Sequence, residues 1–108
     1  MTANHRPAYH FQPERDWMND PNGLIQWQGQ THLFYQYTPG SALSGVKYWG
    51  HAVSTDLVHW QHWPVAIAPT PGGPHAGCIW SGCALDAGGL PRAIYAGVDP
   101  HFGYLATT

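Results

Sequence analysis

Apolar and polar residues alternate along this chain in short runs, and no helical period survives for more than about a turn. Runs with strand chemistry occupy residues 24–27, 31–37, 48–53, 64–67, 79–85, 90–95 and 103 onward. Ten prolines and thirteen glycines recur between them, which breaks any helix and supplies turns. Gln28-Gly29-Gln30 reads as a hairpin connection between the first two runs, and Asp86-Ala87-Gly88-Gly89 reads the same way between the fifth and sixth. A Pro/Gly-rich stretch, 69–77, separates a first group of four strands from a second, incomplete group.

Four-stranded antiparallel groups in series predict propeller blades, and a propeller closes with about four to eight of them. The 108 residues therefore correspond to one all-β unit, residues 1–108, comprising a first blade and part of a second. The last residues run in a strand pattern with no terminating turn, so the propeller is expected to be incomplete.

Composition sharpens the picture. Charged residues make up 9% of the chain, against about 25% in typical domains. Aromatics reach 14%, with six Trp and six Tyr. Such a mixture suits either a β-sheet core or a surface that stacks on the apolar faces of sugar rings. A net charge of −2 with four basic residues (Arg6, Arg15, Lys47, Arg92) gives no electropositive stripe, which argues against nucleic acid as a partner. No apolar run approaches the ~20 residues of a membrane span, and the first ten residues lack the apolar segment of a secretory signal. A cytoplasmic location without membrane contact is the expectation. Cys78 and Cys83 are five apart, which on a regular strand places them on opposite faces about 16 Å apart. A disulfide needs Cα atoms within about 7 Å, so both are expected to be buried free thiols.

The most specific stretch is Trp17-Met18-Asn19-Asp20-Pro21-Asn22-Gly23. Asp20 is a carboxylate just before a Pro-Asn-Gly turn, with an amide on each side. Such a turn either aims the carboxylate at a fixed point or merely satisfies it with its own amides. Asp56, in Ser54-Thr55-Asp56-Leu57, reads as a structural corner. His59 and His62 are three apart without a third nearby ligand, so neither a metal nor another cofactor is expected.

This stretch resembles the signature of glycoside hydrolase family 32, the invertases, inulinases and levanases. The resemblance continues through Phe34-Tyr35-Gln36, the segment from Tyr48-Trp49-Gly50-His51 to Asp56-Leu57-Val58-His59-Trp60, and Trp80-Ser81-Gly82-Cys83-Ala84. It implies a five-bladed propeller that cleaves terminal β-fructofuranosyl groups with retention, its partner a small β-fructoside. It further implies that Asp20 is the nucleophile and that Asn19 and Gln36 contact fructosyl hydroxyls. Trp17 and Trp49 would line the pocket wall, and Trp80 with Ser81 would form an aromatic-Ser pair at the sugar site. The family's acid/base lies in a Glu-Cys motif, absent here, where Glu14 is the sole glutamate. Its Arg-Asp-Pro motif is not matched by Val98-Asp99-Pro100. Both roles are expected beyond Thr108. A non-catalytic fructoside-binding module, a related five-bladed glycosidase acting on arabinose or xylose, and a fructosyl transferase are the alternatives.

Without a second carboxyl group to protonate the leaving oxygen, residues 1–108 expressed alone should release no fructose from sucrose. The purified chain, assayed beside size-exclusion chromatography, tests this. Robust turnover by a monomer would force Glu14 or another aspartate into the acid role.

Overall fold

The computed structural model describes residues 6–73, 75–99 and 103–107. Seven strands form two antiparallel sheets. The first contains β1 (Trp17–Trp27), β2 (Gln30–Thr38), β3 (Tyr48–Ser54) and β4 (Gln61–Ile67), in that order. The second contains β5 (Cys78–Ala87), β6 (Leu90–Asp99) and β7 (Gly103–Thr107). No helix occurs among the described residues. The architecture is the expected one, a four-stranded blade followed by part of a second.

Both tight connections are hairpins. Gln28 and Gly29 have φ of 51° and 76°, and Gly88 and Gly89 have 67° and 87°, the paired positive values of a two-residue type I′ turn. The twist of such a turn matches that of the strands it joins, so these loops also set the register Trp27↔Gln30 and Ala87↔Leu90.

The amino-terminal part of β1 departs from expectation. The turn read at Pro21-Asn22-Gly23 is instead strand, kept in the sheet by two irregularities, between Met18 and Pro21 and between Asn22 and Ile25. At each, three steps on β1 face two on β2, the signature of a β-bulge. Proline is tolerated because β1 is an edge of its sheet. Gly23, at φ +57°, follows from the same geometry: a Cβ there would lie 2.8 Å from a Phe34 ring carbon.

The two sheets lie side by side in a slab of 44 × 40 × 17 Å, with the edge strands β1 and β5 in contact. Trp49, Ile79 and Tyr95 form the buried cluster between them, flanked by Phe34, Ile67 and Ala93. On the opposite face of the first sheet, Phe11 covers Tyr35, Trp60 and His62 at ring separations of 5.3–5.8 Å. Ser54 and Asp56 build the expected structural corner. Asp56 accepts the N–H groups of Val58 and His59 at 2.9 and 2.8 Å, and Leu57 sits at φ 66°.

Both cysteines are free, but Cys83 is exposed rather than buried. Nor do they fall in odd register. A bulge in β5 between Ile79 and Gly82 pairs Cys78 with Val98 and Cys83 with Ile94, four residues apart on β6. An even spacing puts both on one face, about 13 Å apart and still beyond disulfide reach.

Between the sheets lies a cavity of about 350 Å³ lined by Trp27, His32, Phe34, His51, Trp63 and Ala93, among others. His32 Nδ1 and His51 Nε2 are 3.0 Å apart within it. Burial, and secondarily the neighbouring His32, push His51 down to about 4, and burial also lowers His32. An unfolded chain, with histidines near 6.5, then binds more protons than the folded one between those values. Stability from this pair is complete above about pH 6.5 and is lost as pH falls toward 4. Thermal melting from pH 7.5 to 4.5 should show this decline, and His51→Phe should flatten it. An unchanged slope in that variant would contradict the assignment.

Candidate functional site

The irregular stretch of β1 leaves Asp20 exposed at the rim of a concavity of about 460 Å³. Its lining comes from both sheets: Asp20 and Gln36 from the first, with Lys47 just before β3, and Trp80, Ser81 and Ala96 from the second. The Ser81 hydroxyl donates to Asp20 Oδ2 at 3.2 Å, and Gln36 Nε2 donates to the same hydroxyl oxygen at 3.3 Å. Gln36 is buried in β2 and paired opposite Trp49, so it is held in place. A relay of this kind polarises each donor toward the carboxylate at its end. Among the described residues no other hydrogen bond reaches the Asp20 carboxylate, which excludes the reading of a side chain satisfied by its own turn.

The other expected site residues take different places. Trp80 is 45% exposed and presents aromatic surface beside Asp20, the kind on which a sugar face stacks. Trp17 is half-buried; its backbone N–H donates to the Ser41 carbonyl at 2.8 Å, and Lys47 Nζ lies 4.5 Å above its ring. Through Lys47 it borders the concavity without lining it. Asn19 is exposed, next to Asp20 on β1, and also lies outside the lining.

Trp49 is a correction. It was expected to line the pocket wall, but its indole is fully buried between the sheets and donates to the Trp80 carbonyl at 2.8 Å. The side chain at this register position faces the partner sheet because β3 alternates and Gly50 must take the other face. A Cβ at Gly50 would collide with the Tyr35 ring at 2.3 Å. Trp49 supports the site from beneath.

Three contributors were not visible in the sequence. Lys47 lines the concavity; its N–H donates to Cys78 Sγ at 3.2 Å and its carbonyl accepts from Ile79 at 2.9 Å, while Nζ donates to Ser44 Oγ and to the Gly45 carbonyl. Its status as the sole lysine was the available signal. Asn22, read as a turn residue, is buried and bonds both inner strands: Nδ2 donates to the Asp20 carbonyl at 3.2 Å, and Oδ1 accepts the Gly82 N–H at 3.3 Å. Gly82 itself packs tightly against β6, where a Cβ would lie 2.1 Å from the Ile94 carbonyl oxygen. Asp16, at φ 71°, anchors the loop after β2 by accepting the Gly40 N–H at 2.8 Å and the Tyr37 hydroxyl at 3.0 Å. The Gly40 N–H is the main cause holding its carboxyl below the ordinary range. Among the described residues no three His, Cys, Asp or Glu side chains cluster as a metal site would require.

Residues 10–105 match the family model described as the N-terminal domain of glycosyl hydrolases family 32. The chain is 52% identical over 97 residues to the sucrose-6-phosphate hydrolase of Zymomonas mobilis, covering 90% of this chain and 19% of that protein. It is 50% identical over 91 residues to a raffinose invertase of Escherichia coli, covering 84% and 19%. Among solved structures it matches fructan 1-exohydrolase IIa from Cichorium intybus with a TM-score of 0.89 at 46% identity, over 94% of this chain and 19% of that one. The chain thus spans about a fifth of the length of these relatives.

Proposed function

Because the chain belongs to glycosyl hydrolase family 32, we propose that it is the nucleophile-bearing part of an enzyme that hydrolyses terminal β-fructofuranosides such as sucrose. The observation that carries this reading is the relay Gln36–Ser81–Asp20 at the rim of a concavity shared by two sheets. A carboxylate oxygen of Asp20 attacks the anomeric carbon of the fructosyl group. The bond from that carbon to the leaving oxygen breaks through an oxocarbenium-like transition state, and that oxygen takes a proton from an acid. Water then cleaves the fructosyl-aspartate, giving up a proton to the same group, now acting as base, and the anomeric configuration is retained.

The chemistry needs a second carboxyl group about 5–5.5 Å from the first. Among the described residues that line the concavity, Asp20 is the only carboxylate. The acid/base is therefore contributed from outside this set, by further blades of the propeller. Exposed Trp80 stacks on the sugar, and Asn19, adjacent to Asp20, reaches a fructosyl hydroxyl once substrate occupies the rim. Amides and hydroxyls grip neutral sugars without competing charge, and their bonds strengthen as the ring flattens.

The direct trial is a chimera in which residues 10–105 replace the corresponding segment of the Zymomonas mobilis relative. It should hydrolyse sucrose. Asp20→Asn should lower kcat by more than about 10⁴-fold and move the melting temperature by less than about 3 °C. A folded parent chimera without activity, or an Asp20→Asn variant close to parental turnover, would overturn the assignment.

A further inference from the structure

Asn22 lies two residues beyond the proposed nucleophile and is only 7% exposed, yet both of its polar atoms are engaged, one within β1 and one across the boundary between the sheets. Its Nδ2 donates back to the Asp20 carbonyl on β1, and its Oδ1 accepts the Gly82 N–H on β5. With the bond from Ser81 to Asp20 Oδ2, these contacts close a ring. The ring runs from the Asp20 carboxylate to the Ser81 hydroxyl, along the Ser81–Gly82 peptide to the Asn22 amide, and back to the Asp20 carbonyl.

β1 and β5 belong to different sheets, and among the described residues no backbone ladder joins them. Apart from the Ile79 N–H on the Lys47 carbonyl, which ties β5 to the segment before β3, side chains carry the alignment of one strand against the other. One partner is a carbonyl and the other an N–H, so the bridging group needs a donor and an acceptor on a single planar head. An amide meets that requirement; a carboxylate has no donor, and a serine is too short to reach both. The site also has no slack on the far side, because Gly82 sits against the Ile94 carbonyl and the Tyr95 Cα where no Cβ would fit.

We propose that Asn22 is a positioning residue for the reaction: its amide sets the distance at which β5 delivers Ser81 to Asp20, and so aligns the attacking carboxylate. The inference rests on the reading of Asp20 as nucleophile. Ser81 acts on Asp20 directly, and Asn22 acts through Ser81, so the two should not contribute independently.

The experiment is a double-mutant cycle in the active chimera. Asn22→Ala should lower kcat for sucrose by about 10–100-fold, the range expected when a reacting group is misplaced by an ångström or less, with KM within about threefold of the parent. Ser81→Ala should lower kcat, and the double variant should be no slower than Asn22→Ala alone within about twofold, because the second change removes a contact already lost. Losses that multiply would overturn the proposal, as would a rise in KM with kcat intact, or a lowered melting temperature with parental kcat per folded molecule. Should Asn22→Ala fail to fold, Asn22→Asp keeps the acceptor toward Gly82 and removes the donor toward Asp20; parental kcat in that variant would overturn the proposal equally. Amide hydrogen exchange at Gly82 reads the bridge without turnover and should quicken at least tenfold in Asn22→Ala while other β5 amides keep their rates. If Asp20→Asn retains activity, the nucleophile reading itself fails whatever Gly82 reports. If Asp20→Asn is inactive and the Asn22 and Ser81 losses multiply, only the positioning role fails.

Discussion

The Trp49 indole, seated between the two sheets with its N–H on the Trp80 carbonyl, is the contact on which the rest of the arrangement depends. Burying a tryptophan removes on the order of 200 Å² from water, an upper estimate of roughly 4–6 kcal/mol before entropy. The hydrogen bond adds direction to that driving force, since a buried indole N–H left unpaired costs about 1–3 kcal/mol. Its acceptor is the backbone of Trp80, one residue before Ser81. The same contact that closes the core therefore brings the hydroxyl of the second sheet to the carboxylate of the first, and leaves the Trp80 ring at the surface beside it.

A second constraint works from the other side. β1 must carry Asp20 on a segment that stays in the sheet yet breaks its alternation, and two bulges achieve this around Pro21 and Gly23. A regular strand would put Asp20 and Asn22 on one face and Asn19 on the other under a fixed two-residue period. With the bulges, Asp20 remains exposed while Asn22 turns its amide into the boundary between the sheets. Irregular pairing thus concentrates in the part of β1 that carries Asp20, while the hairpins at Gln28-Gly29 and Gly88-Gly89 are regular two-residue turns.

Alternation and turn chemistry made the seven strands and their two groups legible, because both are local properties of a few neighbouring residues. The local reading picked out the Asp20 turn but left its role open; the family resemblance assigned it and led to Gln36 and Ser81, which the fold brings together with it. It failed wherever the answer lay on another strand. Trp49 looked like a pocket aromatic, but its direction depends on a partner sheet thirty residues away, and the register that selects its face is fixed by the lack of room beside Gly50. Asn22 looked like a turn amide because Pro and Gly flank it; its second partner, Gly82, lies sixty residues downstream. The face shared by Cys78 and Cys83 was misjudged for a related reason, since one bulge residue inverts the parity that spacing alone predicts.

The central claim, that Asp20 becomes covalently bonded to a fructosyl group, is tested most directly by trapping the intermediate. The chimera would be quenched by acid during turnover of an activated fructoside with a good leaving group, digested and read by mass spectrometry. One anhydrofructose should be found attached to the peptide that contains Asp20, with fragmentation placing it on that residue and none on Glu14 or Asp16. Attachment to a different carboxylate, or fructose released with inverted configuration and no adduct on any peptide, would contradict the account.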